Sequence, residues 1–321
     1  MRIKTTVGET LSPKTKNANN NIHIALVHGG MSSEREVSLM SLEGFKSGLL
    51  ELGYKVTVVD MGYDIAEHIT KINPDIVFNG LYGTYGEDGC LPGLLEILGI
   101  KYTHSGVLGS ALAFNKEVSF KIFENVGIKV ANYRILSKDE NIKLDPIPRP
   151  YVIKPISEGS SVGIEIIFEG DDFDFSKYKW NYGNRIIVQE YIKGRELQVA
   201  ILKDKAIGIL EIKPMKRRFY DYESKYKDGM TDHIMPAKLD KHIEKKMLEL
   251  AEKAHHCLKC NNINRVEFLY DETKGIDGIY ILEANSHPGM TPLSIVPEIC
   301  EYYGISYKDI LNELVQNGLK T

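Results

Sequence analysis

The 321-residue chain lacks the features that mark several specialised classes of protein. Its four cysteines follow no framework of spacings, which indicates a reducing compartment rather than a disulfide scaffold. A net charge of −4 gives no reason to expect nucleic acid or an anionic membrane as a partner. No apolar run is long enough to span a membrane, and residues 1–20 lack the apolar core of a signal peptide. We therefore expect a cytoplasmic globular protein with neither kind of partner.

The order of periodic segments indicates more than one structural unit. Residues 1–20 are polar and are predicted to form a flexible tail. Strand and helix periods alternate in residues 21–105, which favours an α/β unit with a parallel sheet. Residues 106–136 have a helical pattern, and a proline-rich stretch then interrupts regular structure. Short strands follow from residue 151, and a helical pattern at 239–258 precedes two more strands.

Oxygen-donor side chains are concentrated in those two strands. Arg265 and Glu267 lie in the first, and Glu283 and Asn285 end the second. If the strands are neighbours, these four side chains come together. Carboxylate and amide oxygens suit a hard cation such as Mg²⁺, which shares its coordination shell with phosphate oxygens. An arginine beside them fits charge stabilisation on a transferring phosphoryl group, so the pattern predicts phosphoryl chemistry.

Two connections between predicted strands have residues suited to a nucleotide. Lys154 precedes a loop of glycines and small hydroxyls, whose backbone N–H groups can approach an anion closely. The connection 189–196 exposes backbone groups that could pair with an adenine edge, and Glu196 could accept from ribose hydroxyls. An ordinary hairpin turn and an exposed β-connection are the respective alternatives.

Three further segments allow two interpretations each. Residues 213–226 are basic and aromatic, which fits a lid over phosphates better than a nucleic-acid patch because the chain is net acidic. The loop 28–38 opens a helix and suits an anion, with Glu34 either holding an ammonium group or capping the helix. The pair Cys257-x-x-Cys260 resembles a zinc or redox motif, but the helical periodicity around it favours an ordinary helix.

Six motifs, taken together and in this order, resemble the D-alanine–D-alanine ligase family of the ATP-grasp superfamily. The resemblance runs from about Ile22 to Val315. The motifs occupy residues 29–38, 86–89, 154–155, 159–163, 220–226 and 283–291.

The resemblance implies an α/β (α+β) protein with the ATP-grasp fold of three domains. Residues 21–105 would form the N-terminal α/β substrate domain and residues 106–196 the central domain. Residues 197–321 would form the C-terminal domain, with a lid loop at about 214–236. ATP would lie between the central and C-terminal domains.

The resemblance also implies a role for each site residue. The nucleotide would contact Lys116, Lys154, Ser160, Ser161, Glu190, Tyr191, Ile192, Glu196, Lys225 and Phe268. Two Mg²⁺ or Mn²⁺ ions would be held by Glu267, Glu283 and Asn285. Glu34, Ser160 and Tyr226 would form a hydrogen-bonded trio that joins the first substrate site to the lid. Arg265 and the N–H of Gly289 would stabilise the oxyanion, and Ser294 would bind the carboxylate of the second substrate.

The implied activity is ATP-dependent ligation of two D-alanine molecules through a D-alanyl phosphate, for peptidoglycan precursors, in a cytoplasmic homodimer. Whether a monovalent cation is also required stays open. A D-alanine–D-lactate ligase and a non-catalytic nucleotide-binding protein are the alternatives. The sequence departs from the common family pattern at Glu267 for aspartate, Tyr82 for histidine, Gln189 for glutamate and Asn115 for aspartate.

Overall fold

A computed structural model of the protein describes residues 3–13, 19, 21–140, 142–159, 163–214, 231–291 and 294–320, and all statements below concern this part of the chain. In it the strands form three sheets, which come from successive stretches of the sequence. Helices pack against them, which confirms the predicted α/β (α+β) class.

The first sheet contains β1 (Thr6–Leu11), β2 (His23–His28), β3 (Lys55–Asp60), β4 (Ile76–Asn79) and β5 (Lys101–Tyr102). Their order is β1-β3-β2-β4-β5, and β2 to β5 pair in parallel. The connecting helices are α1 (Arg35–Glu51), α2 (Ile65–Ile72) and α3 (Cys90–Leu98). Strand β4 is buried along its whole length, as expected for a parallel sheet covered on both faces.

The prediction of a flexible tail over residues 1–20 is wrong for Thr6–Leu11. This segment forms β1, which pairs antiparallel with β3 at the edge of the sheet. Five of its six residues are exposed, so backbone pairing holds the strand rather than apolar burial. The hydroxyls of Thr10 and Thr57 add a 2.7 Å cross-strand hydrogen bond. A polar edge strand has no hydrophobic period, which is why the sequence pattern missed it.

The second sheet follows α4 (Val107–Phe114) and α5 (Lys116–Asn125). It contains β6 (Tyr133–Ser137), β7 (Tyr151–Pro155), β8 (Glu165–Ile167) and β9 (Arg185–Glu190), in the order β6-β9-β7-β8. The helical prediction for 106–136 therefore holds only as far as the end of α5. Its last residues form β6, because they pair antiparallel with β9, a contact the local sequence pattern does not contain.

The third sheet contains β10 (Arg195–Leu202), β11 (Lys205–Pro214), β12 (Thr231–Ile234), β13 (Ile263–Tyr270) and β14 (Ile279–Asn285). It is antiparallel, in the order β12-β11-β10-β13-β14. The remaining helices are α6 (Lys241–Cys257), α7 (Ile295–Tyr302) and α8 (Tyr307–Gly318). Two short 3₁₀ segments lie at Phe175–Lys177 and Glu272–Gly278.

Opposite faces of β10 bury different cores. Leu197 and Val199 pack in a cluster with Met247 of α6, and Phe120 and Phe123 of α5 belong to the same cluster. Helix α5 therefore shares its core with the third sheet. The opposite face contributes to a core that the third sheet shares with the N-terminal sheet. The exact domain boundaries stay a prediction.

Candidate active site

A cavity of about 390 Å³, here called the intersheet cavity, lies between the second and third sheets. Its walls combine lysines and carboxylates with apolar side chains. The charged lining residues include Lys116, Lys154, Glu196, Lys213, Glu267 and Glu283, and the apolar ones include Ile192, Leu269 and Leu282. Such a concave site with a few convergent charges is suited to a polar ligand that has an apolar or aromatic part.

The two acidic strands are neighbours, as the sequence predicts. Strands β13 and β14 pair so that Arg265 lies opposite Asn285 and Glu267 lies opposite Glu283. Residues 265, 267 and 269 share one face of β13, because side chains alternate along a strand. The four predicted side chains are therefore brought to one place.

A β-bulge makes this arrangement possible. Glu267 pairs with Glu283 but the next residue, Phe268, pairs with Ile281, so Leu282 is the extra residue. On β14 the core contains Ile279, Ile281 and Ala284. Strict alternation would have turned Glu283 into that core. The bulge shifts the alternation of side chains along β14 by one residue, so Glu283 faces the intersheet cavity. Bulges are common next to active sites, where they redirect a side chain.

Cations already balance the two carboxylates. Lys116 Nζ lies 3.2 Å from a carboxylate oxygen of Glu283 and donates a 2.8 Å hydrogen bond to the carbonyl of Glu158. Arg265 Nε donates a 3.0 Å hydrogen bond to Glu267, and its Nη2 forms an ion pair with the same oxygen. Glu267 also lines the intersheet cavity.

The donor set fits a hard divalent cation. Two carboxylates and one amide supply only oxygen atoms, which is the ligand type that Mg²⁺ prefers. Among the described residues no group of three or more His, Cys, Asp or Glu side chains could hold a metal by itself. The predicted set of Glu267, Glu283 and Asn285 contains only two such residues, and phosphate oxygens would have to complete the coordination.

Lys154 is the most strongly perturbed cation of the intersheet cavity. It ends β7, is 8% exposed, and donates a 2.9 Å hydrogen bond to the amide oxygen of Gln189. Burial lowers the pKa of Lys154 to about 8, although the charge of Glu283 acts in the opposite direction. Among the described residues the direct partner of this lysine is the neutral amide of Gln189, so an anionic ligand would add a favourable charge.

The hinge between β9 and β10 lies along the same cavity. Glu190, Tyr191 and Ile192 all line it. The N–H of Glu190 donates to Asn132 and that of Tyr191 to Pro150, so the backbone of the hinge is fixed. Glu196 follows on β10, where one carboxylate oxygen accepts a 3.2 Å hydrogen bond from Gln198. The structure thus brings the predicted adenine and ribose positions together.

Phe268 is not among the residues that line the intersheet cavity, so this geometry gives no support to its predicted role in nucleotide binding, which stays a prediction. Its side chain is fully buried in the core on the opposite face of β13. Its neighbour Leu269 lines the cavity instead. The period of two along a strand separates these neighbours. The same period could have found Leu269 from the sequence once Glu267 was assigned to the site.

The loop after β14 holds the predicted oxyanion and carboxylate groups. The side-chain oxygen of Asn285 accepts a 2.8 Å hydrogen bond from the N–H of His287. A Cβ added to Gly289 would lie 3.2 Å from Ser294 Oγ, so these two predicted residues are adjacent. The Ser294 hydroxyl also accepts a 3.0 Å hydrogen bond from the N–H of Thr291.

Glu34 lies against the glycine loop. It is 4% exposed, and a Cβ on Gly159 would lie 2.3 Å from its Oε1, so a larger residue there would displace the Glu34 carboxylate. The trio itself stays a prediction, because Ser160 and Tyr226 lie outside the described residues. The buried Glu87 is a site residue that the individual assignments omitted. Burial and the charge of Glu34 raise its pKa well above the usual range, while Arg265 acts in the opposite direction. The position of Glu87 within the motif at residues 86–89 is the sequence feature that could have identified it.

Several predicted residues lie outside the described part of the chain. These are Ser160, Ser161, Lys225 and Tyr226, together with residues 215–230 of the predicted lid.

At the Cys257-x-x-Cys260 motif the structure supports the helical interpretation, because α6 continues to Cys257. Burial raises the pKa of Cys260 to about 12, which disfavours the reactive thiolate. No helix in the described ranges has the length and apolar character needed to cross a membrane.

Comparison with known proteins identifies similar chains over nearly the whole length. Residues 122–316 match the family model described as D-ala D-ala ligase C-terminus. The D-alanine–D-alanine ligase of Rickettsia bellii is 56% identical over 92% of both chains, and that of Rickettsia akari is 53% identical over 98% of this chain and 97% of its own. The crystal structure of the Bacillus anthracis enzyme with ATP is 26% identical, has a TM-score of 0.78, and is matched over 93% of this chain and 98% of its own.

Proposed function

The chain belongs to the D-alanine–D-alanine ligase family, and from that premise we propose how its own residues carry out the ligation. It is an ATP-dependent enzyme with the ATP-grasp fold that joins two D-alanine molecules for peptidoglycan synthesis. The observation that supports our assignment of roles most strongly is the meeting of Lys154, Glu267 and Glu283 at the intersheet cavity.

The reaction proceeds in two steps. The carboxylate oxygen of one D-alanine attacks the γ-phosphorus of ATP, and ADP leaves with the electron pair of the broken P–O bond. The amine of the second D-alanine then attacks the acyl carbon of D-alanyl phosphate. Phosphate leaves from the tetrahedral intermediate as the amine loses a proton. Positioning and charge stabilisation account for most of the catalysis, so no nucleophilic side chain is needed.

The nucleotide occupies the intersheet cavity. The hinge at 190–192 receives the adenine and Glu196 binds the ribose. Lys116 and Lys154 bind the phosphates or the purine. The lowered pKa of Lys154 supports this role, because a buried cation that bonds to a neutral amide gains from a bound anion.

Glu267, Glu283 and Asn285 would hold two Mg²⁺ or Mn²⁺ ions. When bound, these ions neutralise charge on the phosphate oxygens. Lys116 and Arg265 pair with Glu283 and Glu267 in this structure, so both carboxylates would be held in place for the ions.

Around the acyl carbon, Arg265 and the N–H of Gly289 stabilise the oxyanion. Ser294 binds the carboxylate of the second D-alanine, and its contact with Gly289 supports that role. Glu34, Ser160 and Tyr226 join the first substrate site to the lid, and Lys225 reaches the phosphates from the lid. Lid closure excludes water, which would hydrolyse the acyl phosphate. We place this reaction in the cytoplasm and in a homodimer.

An ADP-release assay with D-alanine, with D-alanine plus D-lactate, and with no acceptor tests the proposal, with the product analysed by mass spectrometry. We expect release that depends on D-alanine alone and yields D-alanyl-D-alanine. An ester of D-alanine with D-lactate as the main product would mean that the second substrate is D-lactate rather than D-alanine. Nucleotide binding without turnover in every arm would overturn the catalytic assignment.

A further inference from the structure

The loop 285–291 is attached to the N-terminal sheet by side chains that the mechanism above does not use. Tyr82 follows β4 and is 3% exposed. Its hydroxyl accepts a 3.1 Å hydrogen bond from the N–H of Met290, which is 208 residues away along the chain. The phenol therefore fixes the residue that directly follows Gly289, whose N–H is assigned to the oxyanion.

His287 packs between two aromatic rings of the N-terminal unit. Its ring stacks on that of His104, with centroids 3.8 Å apart and planes at 24°. Its other contact is the ring of Tyr82, which meets it edge-on at 5.5 Å and 88°. All three side chains are at most 5% exposed. Such edge-on and stacked contacts restrict ring orientation as well as burying area.

Asparagine side chains extend this attachment on both sides. Asn79 Nδ2 lies 3.4 Å from His287 Nδ1 and also donates a 2.9 Å hydrogen bond to the carbonyl of Gly86, next to Glu87. On the opposite side the N–H of His287 donates to Asn285, a proposed metal ligand. A displacement of His287 would therefore move both Asn285 and the backbone that leads to Gly289.

We propose that Tyr82, His104 and His287 form an aromatic clamp, a set of positioning residues through which the N-terminal unit fixes Asn285 and the N–H of Gly289 for the reaction. The inference rests on the proposed function, because that function assigns metal binding to Asn285 and oxyanion stabilisation to the N–H of Gly289. It also assigns a purpose to tyrosine at position 82, where related ligases often have histidine: the phenol holds backbone rather than substrate charge.

An ordinary buried-core role is the competing explanation. Core packing alone predicts that a truncation lowers stability without selectively changing turnover. The aromatic clamp predicts a lower kcat with little change in KM for ATP, because Tyr82, His104 and His287 are not among the residues that line the intersheet cavity. A second-sphere residue that orients a ligand typically changes activity by about 10- to 100-fold.

The test uses the full chain with two substitutions of different severity. Tyr82→Phe keeps the ring and removes the hydroxyl that bonds the N–H of Met290 and, at 3.2 Å, the hydroxyl of Ser41. His287→Ala removes the stacked ring. We expect kcat to fall by roughly 10-fold in the first and up to roughly 100-fold in the second, with KM for ATP within about 2-fold of wild type. Hydrogen exchange of the peptide covering 282–291 should become faster in both.

A matched control is His255→Gln. His255 is also a fully buried histidine, but it bonds to Asp204 at 2.9 Å, away from the loop. This variant should lose stability without loss of kcat or faster exchange at 282–291. Equal loss of kcat in the control, or unchanged kcat and exchange in Tyr82→Phe and His287→Ala, overturns the aromatic clamp.

The exchange measurement does not depend on turnover, so the two proposals can fail separately. A wild-type protein that makes no D-alanyl-D-alanine contradicts the proposed function. Faster exchange in the two variants would still support the attachment of the loop in that case, while the catalytic purpose would be lost.

Discussion

The intersheet cavity and the loop 285–291 meet at Asn285, yet they are built in different ways. The cavity is walled mainly by residues of paired strands, so most of its side chains are placed by strand pairing and register. The loop takes its shape from residues far away in sequence, such as Tyr82 and His104. Changes in the cavity should therefore act on nucleotide and metal binding, and changes around the loop on turnover.

The largest effect should come from Glu283→Gln, in the wall of the intersheet cavity two residues before the loop begins. The substitution removes the negative charge that faces Lys116 and would face a divalent ion. Because losing an outer-sphere partner already costs about 10- to 100-fold, we expect a ligand to cost more than about 100-fold in kcat. Steady-state kinetics and circular dichroism should show lost turnover in a folded protein. The exposed Glu301→Gln is the control, and near-normal kinetics of Glu283→Gln would remove that residue from the site.

The second prediction isolates the cavity through pH. Burial lowers the pKa of Lys154 to about 8, so the ammonium is lost as pH rises through that value. Affinity for a non-hydrolysable ATP analogue should then fall by up to about tenfold per pH unit. Between pH 8 and about 10.5 the unfolded chain binds the proton more tightly than the folded one, so the contribution of Lys154 to stability rises with pH. Affinity and this stability contribution should move in opposite directions.

Lys154→Arg separates this effect from other titrations. Arginine keeps its charge over the whole pH range, so the variant should lose the decline in affinity above pH 8. Calorimetric titrations of wild type and variant from pH 7 to 9.5 provide the measurement. The same decline in both proteins would assign it to another group.

A third prediction uses adjacent residues on opposite faces of β13. Leu269→Ala removes a wall of the intersheet cavity and should raise KM for ATP by about tenfold. Phe268→Leu alters the core and should lower stability by about 1 kcal/mol with KM for ATP unchanged. Kinetics and thermal unfolding of the two variants provide the comparison. A larger increase in KM for ATP in Phe268→Leu than in Leu269→Ala would support the predicted role of Phe268 in nucleotide binding.

The difference between the two regions also explains how far the sequence could predict them. Arg265, Glu267, Glu283 and Asn285 were predicted to meet because two apolar runs with polar residues read as neighbouring strands, and the register confirms it. The bulge at Leu282 could not be predicted, since the residues from Ile279 to Asn285 contain no signal for a change of phase.

The contacts of the loop 285–291 with the N-terminal unit could not be predicted from the local sequence pattern. Nothing near His104 indicates that it stacks on His287, because the contact depends on how the N-terminal sheet lies against the third sheet. The edge strand β1 was missed for a related reason. Its polar residues are held by pairing with β3, and pairing depends on a partner rather than on hydrophobic period.

The smallest effect should come from Tyr307→Phe, which tests the comparison between the two regions by a change at the loop 285–291. The Tyr307 hydroxyl donates a 2.7 Å hydrogen bond to the carbonyl of Met290, opposite the N–H that Tyr82 holds. Losing one neutral hydrogen bond costs about 1 kcal/mol, so kcat should fall by at most about fivefold, with KM for ATP unchanged. The exposed Tyr302→Phe is the matched control and should resemble wild type. A change in KM for ATP that exceeds the change in kcat would mean that the loop also shapes the nucleotide site, and the separation between the two regions would then fail.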